Sequence, residues 1–252
     1  MKVNFDGAVS RGWKFAKNTQ RLTTQFMIYA IAVMLVLLPV IFLHPNITVG
    51  ALKSAALAQS YAWLFVALVP TMLLLIYSAL MFTHNYANQK SLAKSAGYVK
   101  SRYLRFFLAM MIVGLVSSVA DIVPFVGFIF SLVTGLIFFF VQQEIAVRNS
   151  GLSKSFSNSY AIFKRNWFKV FLTLIISGLL GLLIIIVFAI PLLIVALPAL
   201  VSGQFMSAVL ANLPLFIATG LILLVGVALA TLWTIGIKTD VYMQLKKGKR
   251  KR

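Results

Sequence analysis

The side chains able to carry acid–base or metal chemistry are few: the chain has four acids and two histidines in 252 residues. Asp121 and Glu144 are the candidate functional acids, because they lie in or beside long apolar segments. An ionisable group inside a membrane is a functional candidate by default. One interpretation makes the two acids a proton or cation site. The favoured interpretation makes Asp121 a helix cap at a turn and pairs Glu144 with Arg148 one helical turn later.

The polar residues do not indicate a catalytic arrangement. Two carboxylates that share acid–base work must meet, whereas Asp121 and Glu144 are predicted at opposite faces of a membrane. His44 and His84 are also predicted on opposite faces, so a metal site with three or four ligands is not expected. The sequence has no Cys, and it has no HExxH, GxSxG or Walker A motif. We therefore predict that the protein is not an enzyme and carries no cofactor.

The basic residues reveal how the chain is organised. Of 23 Lys and Arg residues, 22 fall in the clusters 2–21, 90–105, 148–169 and 238–252, which hold 5, 5, 5 and 7 of them. Long apolar stretches separate the clusters, 61% of residues are hydrophobic, and the mean hydropathy is +0.98. Basic residues beside membrane spans mark the cytoplasmic side. With two spans between successive clusters, the sequence predicts a multi-pass protein of the cell membrane with both termini in the cytoplasm.

Six apolar segments are long enough to cross a hydrocarbon core of ~30 Å as helices. They are residues 22–43, 61–83, 103–123, 124–147, 168–201 and 213–237. The first is expected to stay in the mature protein, because the polar stretch before it is longer than that of a cleavable signal. The fifth is too long for one span. Pro191 and Pro198 are predicted to break it, so that its last third lies at the outer interface or re-enters.

The first three basic clusters resemble one another. Shifts of 84 and 148 residues align 1–43 with 85–127 and 149–191, and an apolar stripe at helical spacing recurs. The stripe is Leu92, Ala96, Val99 and Tyr103 in the second copy, Phe156, Tyr160, Phe163 and Trp167 in the third, and, more weakly, Ala8, Gly12, Phe15 and Thr19 in the first. The predicted fold is an all-α integral membrane protein whose six transmembrane helices form three repeats of an interfacial amphipathic helix plus two spans. The repeats cover about 1–84, 85–148 and 149–237 of a single domain, 1–245, followed by a basic tail, 246–252.

Each amphipathic helix is predicted to lie in the cytoplasmic interface, with its apolar face in the inner leaflet. The shifts align a basic residue at the inner start of the first span of each pair, and aromatic residues near the same level are expected at headgroup depth. The predicted lipid-interface residues are Arg21, Arg105, Lys169, Trp13, Tyr103 and Trp167. The lipids they face are predicted to be anionic, because each Lys or Arg near such a surface gains about 1 kcal/mol.

Residues 164–167 (Lys-Arg-Asn-Trp) follow a polar amphipathic helix and precede a span. This pattern, and the stretch 141–172 around it, resembles the YciC-type family of inner-membrane proteins and the membrane domain fused to glycerophosphodiester phosphodiesterases. The resemblance implies an integral membrane role. It carries over no catalytic motif, because the phosphodiesterase activity of the fused proteins belongs to a separate soluble domain.

Two functions stay open from the sequence. The first is a non-enzymatic protein that acts through lipid or partner contacts at the cytoplasmic interface, with a homo-oligomer or another membrane protein as partner. The second is a transporter or permease for a small molecule or lipid, since internal repeats are common in transporters. The near absence of charge within the spans favours the first. The tail is expected to hold anionic headgroups; a nucleic acid is not expected as its partner, because the tail lacks aromatic residues to stack on bases.

Overall fold

The structure is a computed structural model that describes residues 3–43, 56–120, 124–201, 208–209 and 211–247. The described residues are helical almost throughout and include no strand. Their main helices are α1 (Phe5–Ala16), α2 (Thr19–Leu43), α3 (Ala56–Asn88), α4 (Leu92–Lys100), α5 (Tyr103–Ala120), α6 (Pro124–Ile137), α7 (Val141–Arg148), α8 (Leu152–Val201) and α9 (Leu213–Lys247).

Several helices are long and apolar enough to cross a membrane. Within the described residues there are four such helical segments, Ala67–Asn88, Ile129–Arg148, Leu152–Val201 and Leu213–Lys246, beside the shorter apolar helix Tyr103–Val116. The segment Ile129–Arg148 contains the turn between α6 and α7. Large apolar side chains lie on their outer surfaces, such as Leu179 at 62% exposure and Ile194 at 69%. Lipid would cover such a surface. The predicted all-α class, with several helices long and apolar enough to span a membrane, is therefore confirmed, while the count of six spans and the three repeats stay predictions.

The prediction that prolines break the fifth span is wrong. α8 runs for 50 residues and contains both Pro191 and Pro198; its one residue with non-helical backbone angles is Asn166, at φ −138° and ψ 32°. A proline removes only its own N–H from the helix, and helices that cross membranes tolerate this loss. The kink instead divides a short first part of α8, up to Asn166, from the long apolar part after it.

The predicted fourth span, 124–147, is interrupted. α6 ends at Ile137 and α7 starts at Val141, with a turn between them. A side chain of α8 fills the break: the hydroxyl of Ser159 donates to the carbonyl of Ile137 at 2.7 Å and accepts from the N–H of Phe140 at 3.2 Å. The break is stable because these backbone groups regain partners. Asp121, the predicted cap between the third and fourth spans, lies outside the described residues.

A short helix or helix segment precedes α2, α5 and the long part of α8; the first packs on the end of α9, the second on the end of α3 and the third on the α6–α7 turn. Arg11 of α1 bonds Asp240 of α9, and the hydroxyl of Ser95 in α4 lies 3.1 Å from Nδ1 of His84 in α3. In the first part of α8, Ser159 bonds the α6–α7 turn. Positions 11, 95 and 159 are those that the shifts of 84 and 148 align. The contacts gather the polar residues at one end of the bundle, residues 3–21, 84–105, 141–169 and 238–247, called the polar end below.

Candidate lipid-contacting site at the polar end

Glu144 lies at the centre of a buried polar network. α7 ends at Arg148 and is capped by Asn149, whose left-handed backbone (φ 54°) turns the chain back toward Glu144. One carboxylate oxygen then accepts from the Tyr242 hydroxyl at 2.8 Å, and the other accepts from the Asn158 amide at 2.9 Å. Ser150 donates a further hydrogen bond at 3.2 Å, and the side chain of Glu144 is fully buried.

The counter-charge of Glu144 is Lys246 of α9, which forms an ion pair with it. The predicted partner Arg148 is instead exposed, and no ion pair joins it to Glu144 in the described part of the chain. A buried carboxylate is stable only when its charge and its lone pairs are satisfied. The arrangement therefore favours a structural role for Glu144, as the link that holds α7, α8 and α9 together.

Asp240 forms the second buried network. It accepts from Nε and Nη2 of Arg11 at 2.9 and 2.7 Å, from the Tyr86 hydroxyl at 3.2 Å and from the Gln244 amide at 2.6 Å. The side chain of Asp240 is only 8% exposed, whereas that of Arg11 is 51% exposed. The hydrogen bond with Asp240 raises the pKa of Arg11. The network fastens α1 to the C-terminal end of α9.

Because these two acids are paired inside the protein, Asp6 is the one acid that the described polar end exposes. Exposed Lys and Arg side chains of the polar end include Lys14, Lys17, Lys90, Lys94, Lys100, Arg105, Arg148, Lys154, Lys164 and Arg165. The ion pairs between described residues include Arg11–Asp240 and Lys246–Glu144. No group of three or more His, Asp or Glu side chains in the part that the structure describes could hold a metal ion. The polar end is therefore an electropositive surface.

The three predicted basic residues differ in position. Arg21 is half-buried, donates to the side-chain oxygen of Asn85 at 2.8 Å and lies 4.3 Å above the ring of Phe15. Arg105 is exposed, and its guanidinium donates to the Asn149 side chain at 3.1 Å. Lys169 is half-buried. Arg105 thus faces outward, whereas Arg21 joins the ends of α2 and α3.

The three predicted aromatic residues are divided in the same way. Trp13 packs on Trp233 of α9, with ring centroids 4.9 Å apart. The Tyr103 hydroxyl donates to the carbonyl of Leu73 at 2.9 Å. Trp167 is 60% exposed. Only Trp167 has the wide exposure expected of a residue that anchors in headgroups.

The apolar stripes of α1 and α4 face protein, which differs from the prediction that they lie in lipid. Gly12 and Phe15 of α1 and Val99 of α4 are buried, and α1 crosses α9 so closely that a β-carbon at Gly236 would lie 2.7 Å from the Gly12 Cα. These short helices are amphipathic because they dock on other helices. Amphipathic spacing alone cannot tell such docking from membrane contact.

The segment of α8 around the kink at Asn166 exposes aromatic side chains. Tyr160, Trp167 and Phe168, called the aromatic patch, are exposed, with Trp167 and Phe168 in edge contact at 5.7 Å between ring centroids. Lys164 and Arg165 lie beside them and are exposed. Tyr160 and Lys164 share one face of the first part of α8 by spacing. Trp167 and Phe168 follow directly after the kink at Asn166. Exposed aromatic and basic side chains close together in the chain are typical of a surface that sits at lipid headgroups.

Lys238 was not predicted as a site residue, because in the sequence it is one of the seven basic residues of the last cluster, 238–252. Lys238 projects from α9 eight residues before Lys246, with its ammonium 4.2 Å from the ring centroid of Phe139. It lines two clefts, one of about 370 Å³ and one of about 460 Å³. The signal available in the sequence was its distance from the other basic residues of the last cluster.

Comparison with known proteins does not assign this chain to a family. No protein-family model, curated protein or solved structure matches this chain. The resemblance to the YciC-type family and to the membrane domain associated with phosphodiesterases therefore stays a prediction from the sequence.

Proposed function

We propose that this chain is a non-enzymatic, six-span protein of the cell membrane that gathers anionic lipids at its polar end, with both termini in the cytoplasm. The observation that carries the proposal is the aromatic patch with Lys164 and Arg165 beside it. Tryptophan and tyrosine prefer headgroup depth, and basic residues beside spans prefer the cytoplasmic side.

The balance of charge supports anionic lipid as the partner. Glu144 and Asp240 are neutralised inside the protein by Lys246 and Arg11. The formal net charge of the chain is +19, so the exposed cations need anions from outside the protein. Lipid headgroups supply such anions at the level of the polar end, and each nearby Lys or Arg gains about 1 kcal/mol there.

The enrichment of anionic lipid can be measured beside the patch. Ala161 is exposed on α8, and the chain has no native Cys, so Ala161→Cys takes a single fluorescent label. The labelled protein is reconstituted in mixed bilayers in which either phosphatidylglycerol or phosphatidylcholine carries bromine, a contact quencher. At equal mole fraction, brominated phosphatidylglycerol is expected to quench the label more strongly, and added salt should reduce the difference.

Variants identify the side chains responsible. The pair Lys164→Gln and Arg165→Gln should remove most of the preference, whereas Lys14→Gln with Lys17→Gln, the same charge loss on α1, should leave it. Equal quenching by the two brominated lipids in the unsubstituted background would refute the proposal.

A transporter is the second candidate function. The two clefts that meet at Lys238 favour it, because a substrate path needs space beside a polar group. Gly178 lines the larger cleft and has open space around it, so Gly178→Cys tests the idea. Labelling of this cysteine by a water-soluble, membrane-impermeant maleimide would support a hydrated path, and full protection would support a cleft filled by lipid.

A further inference from the structure

Lys238 stands where two clefts meet. The first cleft, of about 370 Å³, lies among α3, α5 and the α6–α7 turn, and the second, of about 460 Å³, lies between α8 and α9. Ala79, Phe139, Gln142 and Lys238 line both clefts. Away from this shared set, mostly apolar side chains line the clefts, including Ile76, Phe106 and Met110 in the first and Leu174, Leu182 and Ile235 in the second. Three hydroxyl side chains, Ser177, Thr231 and Thr234, also line the second cleft.

We propose that this pair of clefts holds one anionic phospholipid, with its phosphate at Lys238 and one acyl chain in each cleft. The inference rests on the proposed function, since it places the polar end at headgroup depth. It goes further in naming a discrete site inside the bundle, apart from the aromatic patch. Both volumes fall within the range of about 300–1,000 Å³ that ligand pockets occupy.

The charge of Lys238 argues for an anionic headgroup. Glu144 pairs with Lys246 and Asp240 pairs with Arg11, so neither buried acid neutralises Lys238. In the described residues no carboxylate lies within ion-pair distance of its ammonium, which contacts the face of Phe139. A lone cation in a mostly apolar setting is costly, and a phosphate removes that cost by a charge-assisted hydrogen bond.

Gln142 adds a polar contact beside Lys238. Its amide nitrogen donates to the Ala79 carbonyl at 3.0 Å and to the Thr83 hydroxyl at 2.8 Å, which fixes the side chain against α3. Both N–H groups of the Gln142 amide therefore donate to groups within the protein. The carbonyl oxygen of Gln142 then serves as an acceptor for a headgroup hydroxyl, such as that of the glycerol in phosphatidylglycerol.

The test counts the lipids that stay bound to the purified protein. We expect native mass spectrometry of protein extracted in mild detergent to show one retained phospholipid per chain, with phosphatidylglycerol preferred over phosphatidylcholine when both are added. Lys238→Met should weaken retention about tenfold, the loss expected when a charge-assisted hydrogen bond is removed, and Lys238→Arg should keep it. Retention by Lys238→Met that equals the unsubstituted protein would overturn the proposal.

Variants at two glycines test whether the acyl chains lie in the two clefts. Gly135 lines the first cleft and Gly178 the second, and a β-carbon at either would meet no atom within 4 Å. Gly135→Leu and Gly178→Leu should therefore fill a cleft without a clash and lower retention. Gly114→Leu is the matched control, because Gly114 has the same open space but lines neither cleft. Equal retention by Gly135→Leu, Gly178→Leu and the control would refute the placement of the chains.

Two readouts separate this proposal from the proposed function. Phosphatidylglycerol should raise the melting temperature of the delipidated protein but not that of Lys238→Met, since a ligand stabilises only the form that binds it. The pair Lys164→Gln and Arg165→Gln should lose the quenching preference and keep the retained lipid. If the unsubstituted protein keeps the quenching preference for phosphatidylglycerol but retains no phospholipid, the site at Lys238 is refuted and the proposed function is not.

Discussion

Arg11 and Asp240 lie 229 positions apart and form a bidentate ion pair, with nitrogen–oxygen distances of 2.9 and 2.7 Å. The pair joins α1 to the C-terminal end of α9. It is one part of an interface in which Trp233 also donates to the carbonyl of Val9 at 2.9 Å and the side chain of Gln244 accepts from the N–H of Asn4 at 2.9 Å. The two ends of the described chain thus hold each other at the polar end.

Loss of this pair should weaken the fold. Asp240→Ala removes the acceptor of Arg11, Tyr86 and Gln244, and we expect the free energy of unfolding to fall by about 1–3 kcal/mol. Thermal unfolding in detergent measures the change. Arg11→Ala should also destabilise, and the double variant should lose less than the sum of the two single losses. Additive losses would show that the two side chains do not interact.

The crossing of α1 and α9 should not tolerate a β-carbon. Gly236→Ala places a methyl group 2.7 Å from the Gly12 Cα, so the helices must separate. A loss of about 1–3 kcal/mol is expected from such overpacking, measured by thermal unfolding. Gly220→Ala, on the same helix with no atom within 4 Å of the new carbon, is the control and should not destabilise. A Gly236→Ala protein as stable as the control would contradict the close crossing.

Glu144 is expected to stabilise the fold by linking α7, α8 and α9. Glu144→Gln keeps the shape of the side chain and removes the carboxylate that faces Lys246, at an expected cost of about 3–5 kcal/mol. Chemical unfolding of the purified protein measures it, and adding Lys246→Met to the Glu144→Gln protein should restore part of the loss. A Glu144→Gln protein of unchanged stability that lost ion flux in vesicles would favour the proton or cation site instead.

Two neighbouring glutamines should respond in opposite ways to leucine. Gln143 is fully buried, and neither polar atom of its side chain has a hydrogen-bond partner, whereas Gln142 donates twice to α3. Gln143→Leu should raise the free energy of unfolding by about 1–3 kcal/mol, because it removes a buried amide that has no hydrogen-bond partner. Gln142→Leu should lower it. Destabilisation of similar size by both would show that Gln143 has bonds like those of Gln142.

The long apolar helices could be predicted from the sequence, because hydropathy and helix length follow from composition along one segment. The break between Ile137 and Val141 could not, since it depends on a hydroxyl from Ser159 on another helix. The continuity of α8 through Pro191 was also missed, because local propensity is weaker than the requirement that backbone groups in lipid bond within their helix.

The candidate site was predicted only in part. Trp167 and Arg105 face outward as the pattern indicated, but Arg21, Trp13 and Tyr103 bond or pack against protein. An amphipathic stripe has the same spacing whether its apolar face contacts lipid or a partner helix. Only the tertiary contacts show which of the two it contacts. The role of Lys238 depends on two clefts formed by six helices and a turn, and no local pattern contains them.

Cysteine labelling shows whether the polar end lies on the cytoplasmic side of the membrane. Single cysteines in place of Lys14, Lys90 and Arg165 report three parts of the polar end, and Lys53→Cys reports the predicted opposite side. In intact cells a membrane-impermeant maleimide should label only Lys53→Cys, and permeabilised cells should show labelling of the other three. Labelling of any of those three in intact cells, or protection of Lys53→Cys there with labelling only after permeabilisation, would contradict a single cytoplasmic face that gathers anionic lipid.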